Sequence, residues 1–84
     1  MRHMTTIDQV IRAVEDETGK DAASDSKLSD LVADSLEFTS LLARIESEFG
    51  VEIPDVMVPN IHTVDDLLQA IRKEAGKTHD DLSA

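Results

Sequence analysis

Apolar residues recur at helical spacing in three stretches of the chain, and each stretch has its own start and stop signals. In the first stretch, Thr6 and Gln9 can form a capping box, and Gly19 is a typical residue at which a helix stops. The apolar face of this stretch consists of Ile7, Val10, Ile11 and Val14. This pattern predicts a helix from Ile7 to Thr18.

Two further long helices are predicted in the same way. One runs from Ser35 to Phe49 and stops at Gly50; its apolar positions are Phe38, Leu42, Ile45 and Phe49. The other begins after the cap formed by Thr63 with Asp66 and is expected to stop at Gly76. The apolar face of this last helix consists of Val64, Leu67, Leu68, Ile71 and Ala75.

The segments between these helices are less regular. Residues 20–34 are expected to form a loop that Leu28, Leu31 and Val32 hold against the core. Pro54 breaks the chain, and residues 55–60 can form one short helical turn. The fold class is therefore all-α, a small four-helix bundle of three long helices and one short helix. Residues 5–76 are interpreted as a single domain, residues 77–84 as a flexible polar tail, and residues 1–4 as a remnant of recombinant expression.

Composition and charge exclude several classes of function. The 84 residues include 18 acidic and 8 basic side chains, which give a formal net charge of −10. This charge opposes binding to nucleic acid or anionic lipid and favours partners with basic patches. The chain has no cysteine, which excludes disulfides and thiolate chemistry, and it has no apolar run long enough to cross a membrane. We expect a cytoplasmic monomer.

Ser35 is the candidate functional residue. It follows Asp34, a good helix N-cap, and Glu37 three residues later completes an aspartate form of the capping box. The hydroxyl of Ser35 is thus placed where free N–H groups and the positive end of the helix dipole meet solvent. A phosphate ester is well accommodated at such a position. A serine at a helix start is also common as a plain first-turn residue.

Catalytic and metal sites are not predicted. Ser35, His62 and several aspartates are the ingredients of a hydrolytic triad, but no G-x-S-x-G elbow or strand presents them. The acidic pairs Asp65-Asp66 and Asp80-Asp81 do not match the EF-hand spacing. We therefore expect neither a catalytic residue nor a dedicated metal site.

The order of short motifs along the chain resembles the acyl carrier protein family. These motifs are Asp34-Ser35-Leu36, then Glu48-Phe49-Gly50, then Glu52-Ile53-Pro54-Asp55, then Thr63-Val64, and the resemblance covers about residues 5–75. It implies an up-down carrier bundle that is not an enzyme. It also implies a 4′-phosphopantetheine arm, derived from coenzyme A, on Ser35 at the start of the second long helix.

The resemblance further implies roles for neighbouring residues and for partners. Asp34 would orient the turn, and Leu36 would contact a phosphopantetheinyl transferase or anchor the helix. Acyl-loading and acyl-processing enzymes would meet a surface that includes Glu37, Phe38, Arg44 and Glu48. Phe38 can equally well face the core. An apolar cargo would lie between the helices, along Leu41, Leu42, Ile45, Ile61 and Leu67. Plain packing of the core is the alternative role of these five residues and is expected for most of them with any cargo.

Some residues depart from the family pattern. Val32 stands where the family usually has glycine, Arg44 adds a positive charge to the second long helix, and residues 56–59 are unusually apolar. These features favour a specialised carrier, for a polyketide, an amino acid or an unusual acyl chain, over the general carrier of fatty acid synthesis. The alternative is a helical interaction module that never receives the arm. A small serine hydrolase is a third interpretation with little support.

Overall fold

The structure is a computed structural model that describes residues 5–83 of the backbone and the side chains of residues 5–76. Helix α1 spans Ile7–Thr18, α2 spans Leu28–Leu31, α3 spans Ser35–Phe49 and α4 spans Val64–Ser83. A 3-10 helix spans Asp55–Asn60 between α3 and α4. The all-α bundle of three long helices and one short helix is confirmed, and the structure adds the four-residue helix α2. The expected expression remnant, residues 1–4, lies outside the described residues.

The predicted bounds of α1 and α3 are confirmed, because local capping sets both. Thr6 and Gln9 form the capping box, in which each side chain accepts the backbone N–H of the other residue. Gly19 and Gly50 end the two helices in the left-handed conformation, with φ of 73° and 67°, where a side chain is disfavoured.

The prediction that the last helix stops at Gly76 is wrong. Helix α4 continues through Gly76 to Ser83, and Gly76 is not among the glycines with positive φ. A glycine in a helix interior costs only about 1 kcal/mol relative to alanine, so it does not force a stop.

The core lies where α1 packs against both α3 and α4. Glu74 on α4 is also buried, but the core itself is an apolar cluster. Its side chains come from the four α-helices and from the segments before and after the 3-10 helix: Val10, Ala13, Val14, Leu28, Leu31, Leu41, Ile45, Val51, Ile53, Ile61, Val64, Leu67, Leu68, Ala70 and Ile71. The partly buried Phe38 and Phe49 pack against this cluster. The loop anchors Leu28 and Leu31 are buried as expected, and Val32 is half-buried.

A glutamate side chain holds the segment that follows each of the two glycine stops. After Gly19, the Ala22 N–H donates to Glu15 Oε2 at 2.9 Å. After Gly50, the Ile53 N–H donates to Glu46 Oε2 at 2.8 Å. In both cases the glutamate lies four residues before the glycine, and its backbone carbonyl also accepts the glycine N–H. The two helices therefore end in the same local arrangement.

The loop after α1 is fastened to the start of α4. Lys27 and Thr63 form an antiparallel bridge, and the Leu28 N–H donates to the His62 carbonyl at 2.8 Å. In the opposite direction, the N–H groups of Val64 and Asp65 donate to loop carbonyls at 3.1 and 2.9 Å. These two donors belong to the first turn of α4 and have no acceptor within their own helix. The loop thus stabilises α4 and sets the position of residues 61–63.

Candidate functional site

The start of α3 is capped by Asp34. Its Oδ1 accepts the Glu37 N–H at 2.9 Å, and its carbonyl accepts the Phe38 N–H at 3.1 Å. The predicted role of Asp34 as the N-cap is confirmed.

The capping box that was predicted for Glu37 is wrong by one residue. Its Oε1 accepts the N–H of Ala33, not that of Asp34. Asp34 has an extended backbone, with φ of −159° and ψ of −178°. The Glu37 carboxylate therefore ties the end of the preceding loop to the first turn of α3. This contact fixes the direction in which the chain enters the helix.

Ser35 is the first residue of α3 and is exposed. The N–H groups of Ser35 and Leu36 have no acceptor among the described residues, because the Asp34 cap reaches only the next two amides. The hydroxyl thus lies beside two free donors and at the positive end of the helix dipole, as predicted from the sequence. The residues present fit a phosphodiester, since an accessible hydroxyl can form the ester and the free amides can donate to its oxygens.

A cleft of about 710 Å³ opens beside Ser35. Its apolar lining comes from Leu28, Val32, Ala33, Phe38 and Ile61, and its polar lining comes from Lys27, Ser29, Asp34, Ser35, His62 and Thr63. The cleft lies within the size range of small-molecule sites. It is built from three parts of the chain: the segment around α2, the first turn of α3 and the residues that precede α4.

The wall next to α4 is held by a second capping arrangement. The His62 and Thr63 N–H groups donate to Asp66 Oδ2 at 2.9 and 3.1 Å, and Thr63 Oγ1 accepts the Asp66 N–H at 3.1 Å. The two backbone donors, that of His62 first, lower the pKa of Asp66 below its ordinary value. The ionised carboxylate therefore helps to hold His62 and Thr63 at the cleft.

Leu36 and Phe38 lie in different surroundings. Leu36 is 75% exposed, one of the two large apolar side chains recorded as exposed, together with Val56 in the 3-10 helix at 80%. Phe38 is half-buried; it lines the cleft and also packs against the core. Phe38 was predicted to lie either on the partner surface or against the core. In the structure the ring contacts the core on one side and the cleft on the other.

Arg44 and Glu48 lie farther along α3. Arg44 is nine residues beyond Ser35, about 14 Å along the helix axis at 1.5 Å per residue. Its guanidinium pairs with Asp16 at 3.3 Å and Glu17 at 3.7 Å, both on α1, and with Glu48 at 3.4 Å. Arg44 therefore links two helices within the chain and neutralises part of a cluster of three carboxylates.

The five residues predicted to surround a cargo are not grouped around one cavity. Leu41, Ile45 and Leu67 are completely buried in the core, and Leu42 packs against it. Of the five, only Ile61 lines the cleft beside Ser35. In this structure the cavity next to the serine is thus separate from the tightly packed interior.

Sequence reasoning missed the part of the cleft that comes from the loop. No local pattern in the sequence indicates that Lys27, Ser29 or His62 lines a cleft. One usable signal was present: Leu28, Leu31 and Val32 have the i, i+3, i+4 spacing of a helical face. A helix of four residues is too short for this spacing alone to predict it. Among the described residues, no cluster of three His, Asp or Glu side chains could hold a metal ion.

Comparison with known proteins gives the family. The sequence profile described as "Phosphopantetheine attachment site" matches residues 8–71, most of the chain and all of α3. The chain belongs to the acyl carrier protein family. Members of this family are carriers and not catalysts, so the prediction that the chain is not an enzyme is confirmed. The family also implies the predicted prosthetic group, 4′-phosphopantetheine.

Individual relatives agree with the profile. An acyl carrier protein from Solidesulfovibrio magneticus is 40% identical over 78 residues, which cover 88% of this chain and 100% of that protein. An acyl carrier protein from Rickettsia canadensis is 38% identical and covers 83% of this chain and 91% of its own length. The chain is thus an acyl carrier protein that carries acyl intermediates.

A solved structure shows the same fold. A chain in the structure of "The ishigamide ketosynthase/chain length factor" superimposes with a TM-score of 0.69 and 23% sequence identity. The match covers 83% of this chain and 93% of that chain. In the described part of this protein, no helix combines the length and the apolar character that a bilayer-spanning segment needs.

Proposed function

We propose that Ser35 is the attachment residue and that residues 5–76 form the carrier unit. The observation that carries this proposal is the exposed hydroxyl at the first position of α3, beside two free N–H donors and the mouth of a cleft. Ser35 also lies within the stretch that matches the phosphopantetheine profile. Asp34 caps the helix and so keeps the serine at its end, outside the hydrogen-bonded turns.

The chain's own residues position the ester and present it. When bound, the prosthetic group supplies a terminal thiol that holds an acyl group as a thioester. The Ser35 oxygen provides the ester linkage, and the amides of Ser35 and Leu36 are placed to donate to the phosphodiester. Asp34 and Glu37 direct their carboxylates to the Glu37 and Ala33 amides, which leaves the first two N–H groups of α3 available.

The partner surface that we propose begins at Leu36 and extends along α3. A phosphopantetheinyl transferase must reach Ser35 and would cover the exposed Leu36 side chain. Acyl-loading and acyl-processing enzymes would meet Glu37 and Phe38 close to the arm. Arg44 and Glu48 would lie toward the far end of this surface. Because Arg44 pairs with acidic side chains there, the surface carries less net negative charge at this end than it would on a helix with only acidic residues.

The net charge of −10 favours enzymes with basic patches over nucleic acid or membranes. We further propose that the chain acts as a monomer in the cytoplasm. A specialised pathway is favoured over general fatty acid synthesis because Phe38 and Val32 line the cleft, and because Arg44 offsets the acidic charge of α3.

The deciding experiment is intact-protein mass spectrometry after incubation with coenzyme A, Mg²⁺ and a broad-specificity phosphopantetheinyl transferase. The wild type should gain the mass of one phosphopantetheine, and Ser35→Ala should gain none. Ser40→Ala is the matched control, because Ser40 is also an exposed serine on α3 and should not affect the reaction.

The alternative is a carrier-like interaction module that never receives the arm. It would give no mass gain in the wild type while a known carrier is modified in the same tube. Modification that persists in Ser35→Ala would show a different attachment residue. Either result would overturn the assignment of Ser35.

A further inference from the structure

Much of the lining of the cleft beside Ser35 is apolar. Leu28 and Ile61 are 2% and 7% exposed, and with Val32 and Phe38 they form a continuous apolar lining. Ser35 lies in the lining of the same cleft, so the arm on its hydroxyl begins there and can fold back to bring the acyl group on its terminal thiol to this apolar surface. A tethered acyl chain is therefore the occupant that this apolar surface fits.

The core next to this cleft is closely packed. Leu41 and Ile45, one and two turns beyond Phe38 on α3, have no exposed surface, and Leu67 on α4 has none. Residues three and four positions apart lie on the same side of a helix, so Phe38 stands directly before Leu41 and Leu42. The ring of Phe38 contacts both the cleft and the core, and it therefore occupies the boundary between them.

We propose that Phe38 is a specificity-determining residue that limits how far an acyl cargo enters the bundle. This inference rests on the proposed attachment at Ser35. Short acyl chains fill the cleft down to the ring, and the additional carbons of longer chains stay in solvent. Replacing the ring with a smaller side chain frees the volume that the ring fills beside Leu41 and Leu42, so longer chains become enclosed.

The test measures how well the protein shields the thioester of loaded cargo. Acetyl, butyryl, hexanoyl, octanoyl, decanoyl and dodecanoyl groups are loaded from their coenzyme A thioesters by the transferase, and mass spectrometry confirms each product. The rate of thioester cleavage by hydroxylamine is then compared with that of the same acyl-pantetheine free in solution. Each methylene that leaves water favours the enclosed state by about fourfold.

In the wild type we expect shielding to rise with chain length and then stop rising once the cleft is filled. In Phe38→Ala the rise should continue for several more carbons. Phe38→Leu should lie between them, and it preserves the test if the alanine variant does not fold. Circular dichroism confirms the helical fold of each variant.

Phe49→Ala is the matched control. Phe49 is also half-buried, also on α3 and also packed against the core, but it does not line the cleft. An equal shift in Phe49→Ala would show a general loosening of the core and would overturn the proposal. The same length dependence in the wild type and both Phe38 variants, or no shielding at any length, would also overturn it. Failure to load would contradict the assignment of Ser35, so the two inferences fail in distinguishable ways.

Discussion

The Asp66 carboxylate is a good point at which to test the structure, because it joins the wall of the cleft to α4. We predict that Asp66→Ala lowers stability near neutral pH. The substitution removes the acceptor for the His62 and Thr63 amides while leaving the Thr63 cap for the amide of residue 66. Two backbone donors at the cleft then lose their partner.

The expected magnitude follows from the contacts. Loss of a helix-capping side chain costs about 0.5–2 kcal/mol. Two bonds to an ionised acceptor favour the top of this range, but partial exposure to solvent reduces the cost of losing them, so we expect about 1.5 kcal/mol. For a domain of this size, 1 kcal/mol lowers the melting temperature by about 4–8 °C, which gives a decrease of about 6–12 °C.

The pH dependence has a definite sign. The pKa of Asp66 is lowered in the folded state, so its contribution is complete above the unfolded pKa of about 4. This contribution is lost as the pH falls through the lower pKa of the folded state. The difference between wild type and Asp66→Ala should therefore be largest near pH 7 and should shrink below about pH 4.

Thermal unfolding followed by circular dichroism at both pH values measures this difference. Asp65→Ala is the matched control, because it removes the same charge from the same helical turn without removing a side-chain acceptor recorded in the structure. We expect Asp65→Ala to change stability by less than about 0.5 kcal/mol. A gap that keeps its size at low pH, or equal effects of the two substitutions, would refute the role assigned to the Asp66 carboxylate.

Three further predictions concern backbone and charge. Gly76→Ala should raise the free energy of unfolding by about 0.5–1 kcal/mol, because Gly76 lies inside α4 and an added Cβ would meet open space. Gly50→Ala should lower it by about 1 kcal/mol, because φ is 67° at that position. Chemical denaturation of the two variants measures both changes. Arg44→Met should lower stability by about 1 kcal/mol or less at low salt, and melting curves should show the loss shrinking as NaCl is raised. Binding of a purified partner enzyme should weaken as ionic strength rises, and calorimetric affinities that stay flat would instead indicate apolar contacts at Leu36 and Phe38.

Features set by neighbouring residues could be predicted from the sequence. The Thr6 cap, the Asp34 cap and the stop at Gly50 each depend on residues within a few positions, and the structure confirms all three. Gly76 misled the prediction because glycine both ends helices and is tolerated inside them. What separates the two cases is a positive φ, which composition does not reveal.

Features that depend on distant residues were less accessible. The cleft forms because the backbone of residues 24–28 hydrogen-bonds to the backbone of residues 62–65, and no short-range sequence pattern predicts this pairing. The error at Glu37 has a different cause. Its carboxylate accepts the amide of Ala33 instead of that of Asp34, and the residue spacing does not distinguish these two neighbouring amides.

The paired arrangement of Glu15 with Ala22 and Glu46 with Ile53 bears on the order in which the protein folds. Each contact spans seven residues, so closing it requires only a short loop, which forms on the scale of about 10–100 ns. We expect both helices to acquire their outgoing turns early, before the distant contacts of the core exist. Peptides that cover residues 6–22 and 35–53 should then retain part of the turn in isolation. The bundle would then assemble from helices whose following segments already turn in the direction that they have in the folded protein.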